Sequence, residues 1–360
     1  MENFHRMLEG RKPEWMPFEV PATPPVCELI KRKMHGQWPD EAFDTDFKNL
    51  WCGYKDQDAA LWRSATEALG FVYPPHSEIG GLGSAWVRPP VETLGEATHL
   101  TEMLHPLSTV TEVKQLESLP WANTADPSHY TDMESIYKSF HERGKVAVGC
   151  LECTIFESAW YARGMENIFY DLAEENGIAD WLFDYFTERS INTARAYVKA
   201  GADLIRLGDD VGMQSQLIMS QSTWRTQLKP RLKRVIDAIR DASTRKVWVQ
   251  YHSDGNVTAL MDDLIEIGVD ILNPVQPECM DVIALAAKYQ HQIAFSGMIG
   301  TQTTMPFGST DAVRAAVQQC AELHRKGARV IVAPTHVLEP DVPWENIVAF
   351  VESVKGMRFW

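Results

Sequence analysis

Residues 246–276, KVWVQYHSDGNVTALMDDLIEIGVDILNPVQ, decide the fold. Lys246–Tyr251 is a short β-branched and aromatic run. Gly255 turns the chain, Asn256 can cap a helix over Val257–Ile267, and Gly268 can stop it. The next apolar run, Val269–Asn273, begins at once, so the segment reads as strand, helix and strand. The same phrase recurs along the chain, with strand-like runs at Lys145–Cys150, Ala202–Leu207, Gln292–Ser296 and Arg329–Ala333. Between them lie a helix over Trp224–Ala242, interrupted near Pro230, and one over Asp311–Lys326, capped by Ser309 or Thr310 and ended by Gly327. Six apolar runs alternating with helices require parallel strands joined by crossovers.

The first 140 residues are less regular. Met16–Val20 is a candidate first strand, Ala85–Val91 and Gly95–Leu104 read as strands or a hairpin, and Tyr73–Gly83 and Pro120–Pro127 as loop and linker. A chain of 360 residues is within the range of one (β/α)8 TIM barrel with insertions. The expected architecture is therefore α/β, a single (β/α)8 barrel over residues 1–360 whose residues 1–140 form an elaborated N-terminal region of the same domain.

With 34 basic and 49 acidic residues the formal charge is −15, which argues against a nucleic-acid or anionic-membrane partner, since both select basic faces. The start, MENFHRMLEGRKPEW, lacks the apolar run of a secretory signal, no 18-residue apolar stretch occurs, and six cysteines are too few for a disulfide scaffold. A cytoplasmic protein is expected, with Cys150 and Cys153 as core thiols. No phosphate-binding P-loop, dinucleotide fingerprint or G-x-S-x-G elbow is present.

Ionisable residues collect just beyond the apolar runs: Glu152, Asp209-Asp210, His252-Ser253-Asp254, Gln276 with Glu278, Gly297–Gln302, and Thr335-His336. The C-terminal ends of barrel strands carry the active site, whereas an open doubly wound sheet would gather such groups from fewer strands. Residues two apart in a strand share a face, so His252 and Asp254 point the same way; with His336 they match a catalytic zinc site with one position open, or a metal-free acid–base network. Glu278 is a candidate fourth ligand. Asp209 and Asp210 point to opposite sides, one to the mouth as a general base or ligand, the other to a helix cap or to Arg206. Glu157 suits a helix start. Gln214, Tyr251, Asn273, Gln276 and Gln302 are candidate substrate-binding residues, and Asp209, Asp210 and His252 candidate catalytic ones.

The segments GADLIRLGDDVGMQSQLIMS (201–220), YHSDG (251–255), GVDILNPVQP (268–277), FSGMIGTQTTMPFG (295–308) and APTHVLEPDVPWENI (333–347) resemble the uroporphyrinogen decarboxylase superfamily. The likeness runs from about Lys145 to the C-terminus, with a looser match at GRKPEWMPFE (10–19). It implies a (β/α)8 barrel and one of two activities, decarboxylation of uroporphyrinogen or cobalamin-linked methyl transfer. The decarboxylases' arginine-bearing R-Q-A-G-R loop has no counterpart in MPFEVPATPP (16–25), and CTIFESAWYARGMEN (153–167) resembles the methyltransferase branch. That branch implies zinc held by H-x-C and a distant Cys, which fall on His252-x-Asp254 and His336. Oxygen and nitrogen in place of both sulphurs would leave a stronger Lewis acid, suited to an ether oxygen or hydroxyl rather than to the thiolate of coenzyme M.

The expected function is then a metal-dependent methyltransferase or demethylase that moves a methyl group between a small methoxy- or methyl-bearing substrate and a corrinoid. The sequence has no D-x-H-x-x-G corrinoid segment, so the corrinoid would be carried by a partner protein. A metal-free decarboxylase or lyase acting on a small acid is the alternative, and a non-catalytic small-ligand-binding barrel the third. The expected cofactor is zinc; the expected partners are a small molecule, the corrinoid protein and, as a homodimer, a second copy of the chain.

Overall fold

The computed structural model describes residues 1–53, 58–87 and 102–357. Seven parallel strands form one curled sheet in the order β1 (Phe47–Trp51), β5 (Val146–Glu152), β6 (Leu204–Gly208), β7 (Trp248–His252), β8 (Ile271–Val275), β9 (Ala294–Ile299) and β10 (Val330–Pro334). A small antiparallel sheet of β2 (Ser77–Ile79), β3 (Ala85–Val87) and β4 (Glu102–Leu104) interrupts the count.

The eighth stave is the segment around Phe18. Phe18 bridges Val332 of β10 in parallel; Glu19 N–H donates to Val332 O, Val332 N–H to Pro17 O, and Asp46 N–H to Phe18 O. The Met16–Val20 strand read from the sequence is thus one bridge flanked by prolines, which have no N–H to extend a ladder. The fold is the TIM-barrel class that the βα alternation implied.

Most strands lie one or two residues further along than their apolar runs, because Glu152, Gly208, His252 and Val275 continue the ladder. The helix expected over Trp224–Ala242 is two helices, Gln221–Gln227 and Lys229–Asp241, with Pro230 in the first turn of the second. Val257–Ile267 is a 3-10 turn, Thr258–Leu260, followed by a short α-helix, Met261–Glu266. Ser309 caps Thr310–Arg325 by accepting from Ala312 N–H. Ala85–Val91 is a strand as far as Val87, and Gly95–Leu104 contributes β4; residues 88–101 lie outside the described residues. The N-terminal region holds a barrel strand, β1, and helices Pro24–Lys33 and Ala59–Ala68, which its sequence did not announce.

Alternation along each strand separates two cores. Inward side chains at the strand starts, Phe47, Val146, Leu204, Trp248, Ile271 and Ala294, pack with Phe4, Met7 and Leu8 of the helix Glu2–Leu8. Outward ones, such as Ile205, Leu207, Val249 and Tyr251, pack in the larger cluster shared with the helices. Each fully buried apolar side chain contributes about 1.5–3 kcal/mol of transfer free energy. The N-terminal end of the barrel is therefore filled by hydrocarbon, and polar inward residues appear only toward the C-terminal ends.

Candidate active site at the C-terminal mouth of the barrel

The alternation that turns Trp248 inward also turns Gln250, His252 and Asp254 inward, and on β6 it does the same for Arg206, Gly208 and Asp210. Asp210, His252 and Asp254 each offer a ligand atom within 4.8 Å of the others. His252 Nε2 is 3.8 Å from both Asp210 Oδ1 and Asp254 Oδ1, and His336 Nε2 is 4.0 Å from Asp254 Oδ2. The two imidazole centroids are 6.4 Å apart.

The backbone around this group is tightly tied. Asp254 N–H donates to Asp210 Oδ1 (2.7 Å), Gly255 N–H to Gln276 Oε1 (2.5 Å) and Asn256 N–H to Met213 O (2.7 Å). Gly212 and Gly255 let the two loops touch: a Cβ on Gly212 would collide with Asp254 O, and Gly255 has φ +82°. Asn273 Nδ2 donates to Ser296 Oγ (3.2 Å), which aims Asn273 Oδ1 at His252 Nδ1 (2.7 Å). That oxygen only accepts, so Nδ1 carries the hydrogen and Nε2 faces the carboxylates. Burial alone would lower the His252 pKa, but Asp254 and Asp210 outweigh it and hold the imidazole above its usual range.

Asp209, turned outward, does not line the cleft. Its carboxylate accepts from Ile155 N–H (3.0 Å) and Glu157 N–H (2.9 Å), capping the helix Phe156–Arg163, whose own N-cap residue, Ile155, supplies no side-chain acceptor. Burial pushes its carboxyl up to about 7, against those donors. Arg189 braces the same turn through Cys153 O and Thr154 O. The choice left open for the adjacent aspartates falls on Asp210 for the mouth and Asp209 for the cap.

The cleft above the group is about 520 Å³. It is lined by Asp210, His252, Asp254, Asn273 and His336, together with the apolar Trp51, Pro21, Pro334 and Val337. Glu157 also faces it; burial first, then Asp210 and Asp209, raise its carboxyl to about 8, although Tyr161 Oη donates to it at 2.9 Å. Cys153 Sγ donates in turn to Tyr161 Oη (3.6 Å), whereas Cys150 is buried in the barrel interior; both thiols are free. In the floor, Arg206 donates to Glu19 (2.6 Å) and has Glu152 3.7 Å from Nε, rather than pairing with Asp209 or Asp210. Burial raises the Glu19 carboxyl even against Arg206, while Glu19 and Glu152 keep the guanidinium charged.

Several residues singled out from the sequence lie elsewhere. Tyr251 points outward into the helix-facing core, its hydroxyl donating to Asp209 O. Gln276 is buried and spends its oxygen on Gly255. Glu278 turns away from the cluster, accepting from Gln302 N–H and Thr303 Oγ1. Gln214 Nε2 donates to Glu278 O, and Gln302 Nε2 reaches Gln214 Oε1 (3.5 Å), so both bind neighbouring loops rather than the cleft. Conversely, Arg206, Glu19, Tyr161 and Trp51 line the site without having been assigned to it. Arg206 and Trp51 were findable from alternation once their strands were placed; Glu19 sits on a stave without ladder regularity.

Among curated proteins, the methylcobamide:CoM methyltransferase MtaA of Methanosarcina barkeri is 31% identical over 170 residues, 47% of this chain and 46% of that protein. Its counterpart in the Fusaro strain is 28% identical over 174 residues. The chain thus spans about half the length of the curated relatives it matches. A solved structure described as a methyltransferase from Methanosarcina mazei superposes with a TM-score of 0.63 at 18% identity, covering 98% of this chain and 97% of that one, which supports the fold. No helix among the described residues is long and apolar enough to cross a membrane. Residues 96–357, more than half of the chain, match the family model described as uroporphyrinogen decarboxylase (URO-D), and the chain belongs to that family.

Proposed function

We propose that this barrel is a metal-dependent methyltransferase or demethylase, moving a methyl group between a small methoxy- or methyl-bearing substrate and a corrinoid carried by a partner protein. The observation that carries the reading is the convergence of Asp210, His252 and Asp254, with His336 beside them, at the barrel mouth. Two carboxylates and an imidazole, from Asp210, Asp254 and His252, are a donor set for zinc or a similar divalent ion, and their ligand atoms, within 4.8 Å of one another, need only small side-chain rotations to close on one centre; His336, 4.0 Å from Asp254, stands beside them as a further donor. Asn273 gives His252 the outer hydrogen bond that metal-ligating histidines use.

Bound there, the ion would supply Lewis acidity toward the heteroatom that bears the methyl group. The chain's own residues do the rest. Asn273 and Ser296 hold the His252 ring; the hydrogen bond from Asp254 N–H to Asp210 Oδ1 ties the Asp210 carboxylate to the Asp254 backbone; and Trp51, Pro21 and Pro334 offer apolar surface to the body of the substrate. Asp210 replaces Glu278 as the additional ligand considered from the sequence. The relatives named as methyltransferases support this chemistry, and among the described residues Glu152, Asp210 and Asp254 face the cleft, which opposes the polyanionic substrate of a uroporphyrinogen decarboxylase.

The test is anaerobic incubation of the metal-loaded protein with Co(I) cobalamin and a panel of methoxy compounds, following the corrinoid absorption spectrum. A donor-dependent shift to the methylated corrinoid spectrum, abolished in His252→Ala, is expected. No change with any donor or with methylcobalamin in reverse would refute the reading.

A further inference from the structure

The cleft floor contains an arginine that its neighbours neutralise. Among the described residues, Arg206 is the one arginine or lysine lining the cleft, against Glu19, Glu152, Glu157, Asp210 and Asp254. Its side chain is 9% exposed; one terminal nitrogen donates to Glu19 at 2.6 Å, and Nε stands 3.7 Å from Glu152. Glu19 comes from the Phe18 stave, Glu152 from the end of β5 and Arg206 from β6, so three parts of the barrel hold the triad.

We propose that Arg206, Glu19 and Glu152 set the charge selectivity of the site: its substrate is an uncharged methyl-bearing molecule with a flat or apolar body, and carboxylated or sulfonated counterparts are turned away. The proposal rests on the methyl-transfer reading only for the methyl group; selection by charge follows from the floor itself. A divalent ion in the cluster would balance Asp210 and Asp254, and Arg206 balances one of Glu19 and Glu152. Among the described residues, no positive charge is left over to receive an anion. A carboxylate reaching for the guanidinium would have to stand beside Glu152 or displace it, and like charges in a partly dehydrated cleft repel strongly. An uncharged molecule meets no such opposition, and Trp51, 63% exposed on the rim, with Pro21, Pro334 and Val337 gives it apolar surface.

Glu152, with a 28% exposed side chain, is the more accessible partner, while Glu19 is nearly enclosed. Replacing Glu152 by glutamine would leave the guanidinium one compensating carboxylate and relax the selection, without removing a member of the metal cluster.

The experiment is titration calorimetry on the zinc-equilibrated protein with two near-isosteric probes, 4-methoxybenzyl alcohol and 4-methoxybenzoate, and with ethanesulfonate as a small anion. The wild type is expected to bind the alcohol at least about tenfold more tightly than either anion, the order of discrimination that one uncompensated like charge produces. In Glu152→Gln the preference should shrink by about the same factor, with Glu19→Gln as a second variant and a thermal melt to certify that each is folded. Benzoate binding as tightly as the alcohol in wild type would overturn the proposal. So would an unchanged ratio in both folded variants, or no binding of either methoxy probe. Heats are read without corrinoid or turnover, so failure of methyl transfer and failure of charge selection are separate results.

Discussion

Replacing Asp209 separates a structural aspartate from a chemical one. In Asp209→Ala the buried N–H groups of Ile155 and Glu157 lose their acceptor at the start of the helix Phe156–Arg163. An unsatisfied buried donor costs about 1–3 kcal/mol, so two cost about 2–6 kcal/mol, a large share of a protein's stability. Asp209→Asn should cost about 1 kcal/mol or less, because Oδ1 accepts both bonds and an amide oxygen there keeps them. The assay is thermal and urea unfolding combined with hydrogen exchange at residues 155–158, alongside methyl-transfer activity. The expected order is wild type close to Asp209→Asn, both well above Asp209→Ala, with activity following stability. Asp209→Ala within about 1 kcal/mol of wild type, a small fraction of the 2–6 worked out above, would refute the capping role. A stable but inactive Asp209→Asn would return Asp209 to the chemistry. The raised carboxyl adds a pH signature: a folded-state pKa of about 7 against 3.8 contributes stability that is complete below about 3.8 and lost as pH rises through 7, and Asp209→Asn should flatten that window.

Other consequences follow from the same geometry. Asn273→Leu removes the acceptor that orients His252 and should weaken metal binding about 10–100-fold, measured by competition with a chelating dye, while circular dichroism stays unchanged. The carboxylates of Asp254 and Asp210 raise the His252 imidazole above its usual range against its burial, so metal must displace a proton wherever the ring is charged: affinity should fall with falling pH, and calorimetry at the lower pH should show a heat that varies with the buffer's ionisation enthalpy. Gly212→Ala places a methyl group against the Asp254 turn and should lower metal content more than it lowers the melting temperature; preserved metal content would show that the two loops can part without cost to the site.

Much of the barrel was legible because buried parallel strands are continuous apolar runs, each closed by a glycine or a cap before the next begins. Phe18 was placed in the right stave, but Pro17 and Pro21 leave it a single bridge with no periodic pattern to read. In β1, FKNLW, Lys48 and Asn49 mask the strand, which is held by its pairing with β5 rather than by its own composition. At the mouth, His252, Asp254 and Asn273 could be anticipated because alternation carries them inward from strand ends, whereas His336, two residues past β10 and opposite in parity to the inward Ile331, could be anticipated only from its place just beyond the strand. Asp209 and Asp210 could not be told apart until the last strand residue of β6 was known, since a one-residue shift exchanges their directions. Gln276, Gln302, Gln214 and Glu278 were drawn to the site by polarity, yet each is engaged in hydrogen bonds between neighbouring loops. Nothing in a linear pattern distinguishes that use from ligand binding.

The most direct measurement is the metal content of the purified protein, wild type beside His252→Ala and His336→Ala, by elemental analysis after equilibration with zinc and removal of excess. One tightly held ion per chain in the wild type, lost in both variants while each remains folded, is the expected result. A folded wild type that retains no metal, or variants that retain it in full, would contradict a metal centre built on His252 and His336.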